Sequence, residues 1–186
     1  MYTKLEPNWM EWTRLPHSRV PGDMLPWLYD RGSLTARIKR ACPSGCFRVR
    51  VLKQSWGRPL YSETSLLGMR RGGWAIVREV ELHCNGVPWV FARSLIPAIS
   101  LRGAARRLGM LGDRPLGELL FSDPGTRRAV IQVARLLPRN RLFETATGRM
   151  QHVPVEVWGR RTLFYLADQP LLVNEIFLPD IPECPR

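Results

Sequence analysis

The residues with the clearest chemical potential are two arginines, Arg78 and Arg93, and one acid, Glu175. The arginines flank Asn85-Gly86, the strongest short hairpin signal in the chain, because a type I′ turn needs positive φ at both central residues and this dipeptide tolerates it. With Asn85 and Gly86 as the loop, Cys84 faces Val87, Leu82 faces Trp89, Val80 faces Phe91 and Arg78 faces Arg93. Side chains alternate between faces along a strand. Both arginines therefore fall on the apolar face, and Glu79, Glu81, His83, Pro88 and Ser94 form the solvated one. Like charges opposed on a sheet repel, and burying them adds a desolvation cost of several kcal/mol per ion. Two answers to that cost are open. The arginines can snorkel to water at the sheet margin or pair with a buried acid such as Glu175, or they can hold a carboxylate-bearing ligand through bidentate hydrogen bonds that lysine cannot make.

Glu175 sits inside the apolar run Leu171-Leu172-Val173-Asn174-Glu175-Ile176-Phe177-Leu178, and acids are rarely buried without a reason. With Asp168-Gln169 as the preceding turn, it faces Thr162 and lies diagonal to Arg160. A salt-bridged structural acid and an acid or base working in a cleft both fit that setting.

Other chemistries find less support. His17, His83 and His152 have no spacing suited to a metal site or a catalytic dyad, and no metal or cofactor is expected. Cys42-Pro-Ser-Gly-Cys46 matches neither a zinc nor a thioredoxin spacing. Gly68 to Gly73 reads GMRRGG, without the Walker pattern. The net charge is +12 from 28 Lys+Arg against 16 Asp+Glu, and only Lys4, Lys39 and Lys53 are lysines. That excess suits an anionic partner, but no long basic block and no nucleic-acid reading motif accompanies it, so no nucleic-acid partner is expected. The first twenty residues hold no apolar signal core. We therefore expect a cytoplasmic protein in which Cys42, Cys46, Cys84 and Cys184 are reduced thiols. No apolar run is long enough for a membrane span.

The elements that must position these residues are short. Residues 1–22 read as a lead-in whose Trp9 and Trp12 lie against a preformed surface. Asp23 can cap a helix carrying Leu25, Leu28 and Tyr29, and Ser33 one carrying Leu34, Ile38 and Ala41. Phe47 to Trp56 alternates with strand period, and the hairpin runs from Trp74 to Pro97. Ser100 can cap a helix with Leu101, Ala105 and Leu108, ended by Gly109; an apolar turn follows at Leu116 to Phe121. Apolar runs at 129–137, 153–158, 162–166 and 171–178 are separated by turn compositions. At 186 residues this order predicts a single α+β domain over 1–186, mainly an antiparallel sheet with short helices.

Several of these segments together resemble the chorismate pyruvate-lyase family of ubiquinone biosynthesis. They are Met24-Leu25-Pro26-Trp27-Leu28 with Gly32-Ser33-Leu34-Thr35, Val77-Arg78-Glu79-Val80, Gly86-Val87-Pro88-Trp89 through Pro97, Pro115-Leu116-Gly117, Trp158-Gly159-Arg160-Arg161, and Pro170-Leu171-Leu172 through Pro179. The resemblance implies a monomer whose ligand cavity is closed by helical flaps, working without metal or cofactor. It would split chorismate into 4-hydroxybenzoate and pyruvate, a carbon–oxygen lyase reaction with product inhibition. It further implies that Arg78 binds the ring carboxylate with backbone groups of Leu34 and Leu116, that Glu175 addresses the 4-hydroxyl side, and that Arg93 lies on the ligand route, where we expect it to stabilise charge on the enolpyruvyl side. The stretch from Pro138 to Glu156 is longer than in the family and reads as an extra hairpin. A small-acid-sensing domain of the same fold is the alternative reading.

Overall fold

A computed structural model describes residues 6–43, 46–101 and 103–183, with nothing stated of the side chains of 103–105. Seven strands form one antiparallel sheet: β1 (Met10–Glu11), β2 (Phe47–Gly57), β3 (Ala75–Cys84), β4 (Val87–Pro97), β5 (Arg127–Leu136), β6 (Val157–Leu166) and β7 (Gln169–Phe177). Their order across the sheet is β1-β5-β6-β7-β4-β3-β2. The helices are α1 (Leu25–Leu28), α2 (Leu34–Ala41), α3 (Tyr61–Leu66), α4 (Leu116–Ser122) and α5 (Arg141–Thr147). The α+β expectation holds.

Local chemistry explains most of these boundaries. The Ser33 hydroxyl accepts the Ala36 N–H and starts α2. Helix α1 has no side-chain cap, so Asp23 does not serve it; Pro26 in its first turn sets φ instead. Ser100 does not cap a helix either: its hydroxyl donates to the Pro170 carbonyl, and Gly103–Met110 winds as a 3-10 segment. The apolar turn at Leu116 is the helix α4. The 138–156 stretch contains α5 and no hairpin, and Leu142, Phe143 and Ala146 of α5 pack under the sheet with Phe91, Leu136 and Ile176.

Both faces of the sheet are covered. One packs Val80, Leu82 and Ala92 against Trp27, Leu34 and Ile38 of α1 and α2, and Leu116 and Leu120 of α4 against Phe164 and Val173. The other carries Val77, Leu95, Leu163 and Leu172 against the end of α3. In the described part of the lead-in, Arg161 lies over Trp9, and Trp12 meets Tyr29 and Arg31.

Two register shifts change what faces where. Asn85 and Gly86 do form the turn, at φ 51° and 83°. A bulge then follows between Leu82 and His83: His83 pairs with Pro88, but Leu82 pairs with Val90, so Trp89 is the extra residue. Pro88 has no N–H for the ladder, and bulges are where strands accept proline. Beyond the bulge, Val80 pairs with Ala92, Arg78 with Ser94 and Arg93 with Glu79. The expected pairings of Leu82 with Trp89, Val80 with Phe91 and Arg78 with Arg93 are thereby corrected. At the second hairpin the turn is Ala167-Asp168, at φ 48° and 59°, one residue earlier than expected, which sets Glu175 opposite Arg160 instead of Thr162.

The expectation of reduced thiols fails for Cys42 and Cys84, whose Cα atoms stand 5.7 Å apart and whose sulfurs are bonded. Cys46 is free, and Cys184 lies outside the described residues. The bond ties the C-terminal cap of α2 to the end of β3 across 42 residues of chain. In the chain-entropy view, closing a loop of that length stabilises the fold by roughly 2–4 kcal/mol. Urea unfolding with and without reductant should show that loss, and Cys42→Ser should abolish the difference between the two curves.

Candidate active site

Inside the first layer, between the sheet and helices α2 and α4, lies a cavity of about 50 Å³. Larger clefts open to solvent elsewhere, one of about 640 Å³ beside β1 and β5, but neither Arg78 nor Glu175 lines that cleft. Arg78, Glu175, Ser94, Thr35 and the backbone turns at Leu34 and Leu116 converge on the small cavity.

Arg78 is 1% exposed and forms no ion pair among the described residues. Its Nη2 donates to the carbonyls of Gly112 (2.9 Å) and Arg114 (3.1 Å), while its buried Nε has no partner. Burial lowers the affinity of this guanidinium for its proton, and the field of Asp113 offsets that only in part. A buried donor without an acceptor costs about 1–3 kcal/mol. The unmet edge of a planar, bidentate cation in a cavity is a receptor for a carboxylate.

Glu175 stands two strands away. In the ladder, Arg78 is level with Ser94 and Val173, and Glu175 is two residues further along β7. Strand spacing and rise put the two Cα atoms about 12 Å apart, so their side chains leave a gap of roughly one aromatic ring with a substituent at either end. The Arg160 Nε donates to Glu175 Oε2, and the Arg160 Nη1 donates to the carbonyls of Trp27 (3.1 Å) and Asp30 (2.6 Å). Arg160 thus fixes both the acid and the segment that leads into α2. Glu175 Oε1 makes no hydrogen bond among the described residues and is the oxygen left for a ligand.

Leu34 and Leu116 are the first residues of α2 and α4. The opening N–H groups of a helix have no intrahelical acceptor. The two helices touch closely: a Cβ on Gly117 would sit 2.9 Å from the Thr35 hydroxyl oxygen and would force that side chain to shift. Lys39 and Glu118 bridge them at 2.5 Å on the solvent side, where an ion pair is worth little.

Arg93 is not brought to this site. The bulge turns it to the opposite face, where its Nε donates to Glu63 Oε1 (3.0 Å) and its Nη1 to Glu79 Oε1 (2.5 Å). Burial pulls its pKa down, but the charges and hydrogen bonds of Glu63 and Glu79 outweigh that and hold it above the ordinary value. Asn174 also donates to Glu63, which is 1% exposed. Of the sequence-expected residues, Arg78, Glu175, Leu34 and Leu116 meet at the cavity and Arg93 belongs to a structural ion cluster. Three contributors were missed. The uninterrupted hairpin register puts Ser94 on the solvated face, the expected turn gives Arg160 only a diagonal place beside Glu175, and nothing in the sequence pattern marks Arg128. Arg128 faces the cavity because a bulge between Arg128 and Ile131 re-aims β5; nothing in the residue pattern marks that bulge.

The chain is similar to known proteins along nearly its whole length. The family model described as Chorismate lyase matches residues 7–183. A protein of Aromatoleum aromaticum named probable chorismate pyruvate-lyase is 44% identical over 185 residues, covering 98% of this chain and 99% of that protein. One of the same name from Methylococcus capsulatus is 44% identical over 163 residues, 88% of this chain and 99% of its own. Among solved structures, PhnF from Mycobacterium smegmatis superposes with a TM-score of 0.59 at 16% identity over 82% of this chain and 66% of that one. The ligand-binding domain of a GntR-family transcriptional regulator from Bordetella bronchiseptica does so with a TM-score of 0.54 at 17% identity, over 75% and 89%. These two share the fold.

The position of Arg93 has a measurable consequence. Removing one partner of a buried ion pair costs roughly 3–5 kcal/mol, so Arg93→Met should lower unfolding stability by that order while the folded fraction keeps its ligand affinity. Glu63→Gln in the same chain should restore part of the loss in denaturant titrations.

Proposed function

The chain belongs to the chorismate lyase family, and on that premise we propose that it eliminates pyruvate from chorismate to give 4-hydroxybenzoate, with Arg78 and Glu175 as the working pair. The observation that carries this reading is that Arg78, whose buried Nε has no partner, lines the same cavity as a carboxylate. Arg78 receives the ring carboxylate, assisted by the N–H groups that open α2 and α4 at Leu34 and Leu116. The opposite end of the ring, with C4 and its hydroxyl, then lies at Glu175.

The reaction needs little beyond this placement. Glu175 Oε1 accepts the C4 proton, and the electron pair of that C–H bond forms the third ring double bond. The C3–O bond breaks, and enolpyruvate leaves to take up a proton and become pyruvate. Aromatisation drives the step, so positioning in a water-poor site supplies the catalysis, and no electron or group carrier enters the balance. Arg160 holds Glu175 aimed, as a positioned general base requires.

The small size of the cavity bears on turnover. About 50 Å³ holds only a few water molecules, less than the volume of an aromatic acid, so α2 and α4 must part to admit substrate and to free product. Opening of such flaps commonly limits turnover.

Incubation with chorismate, followed by ultraviolet detection of 4-hydroxybenzoate, tests the reading. Arg78→Gln should lose both turnover and 4-hydroxybenzoate binding. Glu175→Gln should lower kcat by about 10²–10⁴, the range of a general base, while product still binds; wild-type kcat in this variant removes Glu175 as the base. Binding of the product by the wild-type chain with no turnover of chorismate would favour the sensing alternative. Rapid-mixing traces should show a burst of one product per chain followed by a slower steady rate; a linear first turnover excludes rate-limiting release.

A further inference from the structure

We propose that Arg128 receives the second carboxylate of the substrate, the one on the enolpyruvyl group, and is thereby the residue by which the site distinguishes substrate from product. The inference rests on the chorismate reading above and extends it to a residue outside the expected set.

Charge balance comes first. Three ionisable side chains line the inner cavity: Arg78, Arg128 and Glu175. Glu175 is already matched by Arg160, whereas neither Arg78 nor Arg128 has an ion pair among the described residues. Two uncompensated guanidinium groups facing one small cavity call for a dianion. A monoanion satisfies one of them, and the product, 4-hydroxybenzoate, is a monoanion at neutral pH.

Placement agrees with that count. Arg128 pairs with Phe164 across the β5–β6 ladder, and its guanidinium lies 5.2 Å from the ring centres of both Phe121 and Phe164. Its Nη1 and Nη2 donate to the carbonyls of Arg31 (2.6 Å) and Gly32 (3.2 Å). Nε–H and one N–H on each terminal nitrogen stay available. Burial and the nearby Arg160 both lower its hold on the proton, while Glu175 and Asp30 raise it, so the group sits within the field of the acid that works on the ring. A carboxylate arriving beside it relieves the same penalty that Arg78 carries.

Arg128 is also a wall between two spaces. Together with Leu120, Phe121 and Phe164 it lines both the inner cavity and an outer cleft of about 560 Å³ that reaches Trp12 and Arg31. With the ring held between Arg78 and Glu175, the proposal seats the side chain on C3 against this wall. Recognition by Arg128 therefore acts on the group that leaves and not on the group that remains.

Kinetics and binding on the intact chain separate this role from the alternative, that Arg128 only clasps the Arg31-Gly32 segment. Arg128→Met should raise the KM for chorismate by about 10-fold or more, as loss of a charge-assisted hydrogen bond does, and leave the Kd for 4-hydroxybenzoate within about twofold. Arg128→Lys, which keeps the charge, should recover part of the KM. A parallel loss of chorismate and 4-hydroxybenzoate affinity would assign Arg128 to the clasp and overturn the proposal, as would an unchanged KM. Should Arg128→Met not fold, Arg128→Gln, which keeps donors for the two carbonyls, carries the same comparison. Each variant is also titrated with 3-(carboxymethoxy)-4-hydroxybenzoate, a dianion of similar outline. The preference of the wild type for this dianion over 4-hydroxybenzoate should vanish in Arg128→Gln; equal preference in both chains overturns the proposal. A wild-type chain that neither turns over chorismate nor binds 4-hydroxybenzoate refutes the parent reading instead.

Discussion

A guanidinium group cannot be dehydrated without company, and this requirement organises the molecule from the sheet outward. Both sheet faces bury arginine. On one face Arg93 is answered by Glu63 and Glu79, and Arg161 by Gln132, Ser62 and the ring of Trp9, with burial holding the Arg161 pKa at about 10. On the other face Arg160 is answered by Glu175 and by two carbonyls at the end of α1. Among the described residues, Arg78 is the deeply buried arginine with a donor left over: it has carbonyls and no acid. The fold satisfies its cations nearly everywhere and leaves the shortfall where a ligand can make it good.

The elements around that shortfall were largely legible from residue order. The Ser33 cap, the strand at Phe47, the Asn85-Gly86 turn and the α+β arrangement all follow from local preference, since each signal is carried by adjacent residues. Arg78, Glu175, Leu34 and Leu116 all line the one cavity. Cross-strand partnership did not follow so well. Alternation has a period of two, so one bulged residue at Trp89 moved Arg93 to the far face and brought Ser94 to the near one. The same arithmetic at Ala167-Asp168 exchanged Thr162 for Arg160 as the partner of Glu175. The expected argument for a carboxylate ligand, two opposed arginines on one face, was thus wrong in its geometry, and the cavity supports an anionic ligand on other grounds.

The polar back face shows why Arg93 could be mistaken for a ligand-binding residue. A buried arginine looks the same in sequence whether its counter-charge comes from a guest or from the chain. Glu63 lies on α3, thirty residues away from Arg93, and its own first task is local: it accepts the Leu60 N–H at the start of its helix. Only the packing of α3 under the sheet turns that capping acid into the partner of Arg93. The likeness to effector-binding domains of transcriptional regulators reflects the same framework, an antiparallel sheet with short helices on it, and says nothing of which charges each chain leaves unmet.

The bond between Cys42 and Cys84 anchors one end of α2 to the sheet. A rod of eight residues is about 12 Å long, and with its far end bolted down it can only swing like a gate on a post. A turn of about 20° at the post carries the latch end, at Leu34, through about 4 Å by simple lever geometry. The widest travel therefore falls at the end of the helix that lines the cavity, while the bolted end keeps such a swing in line.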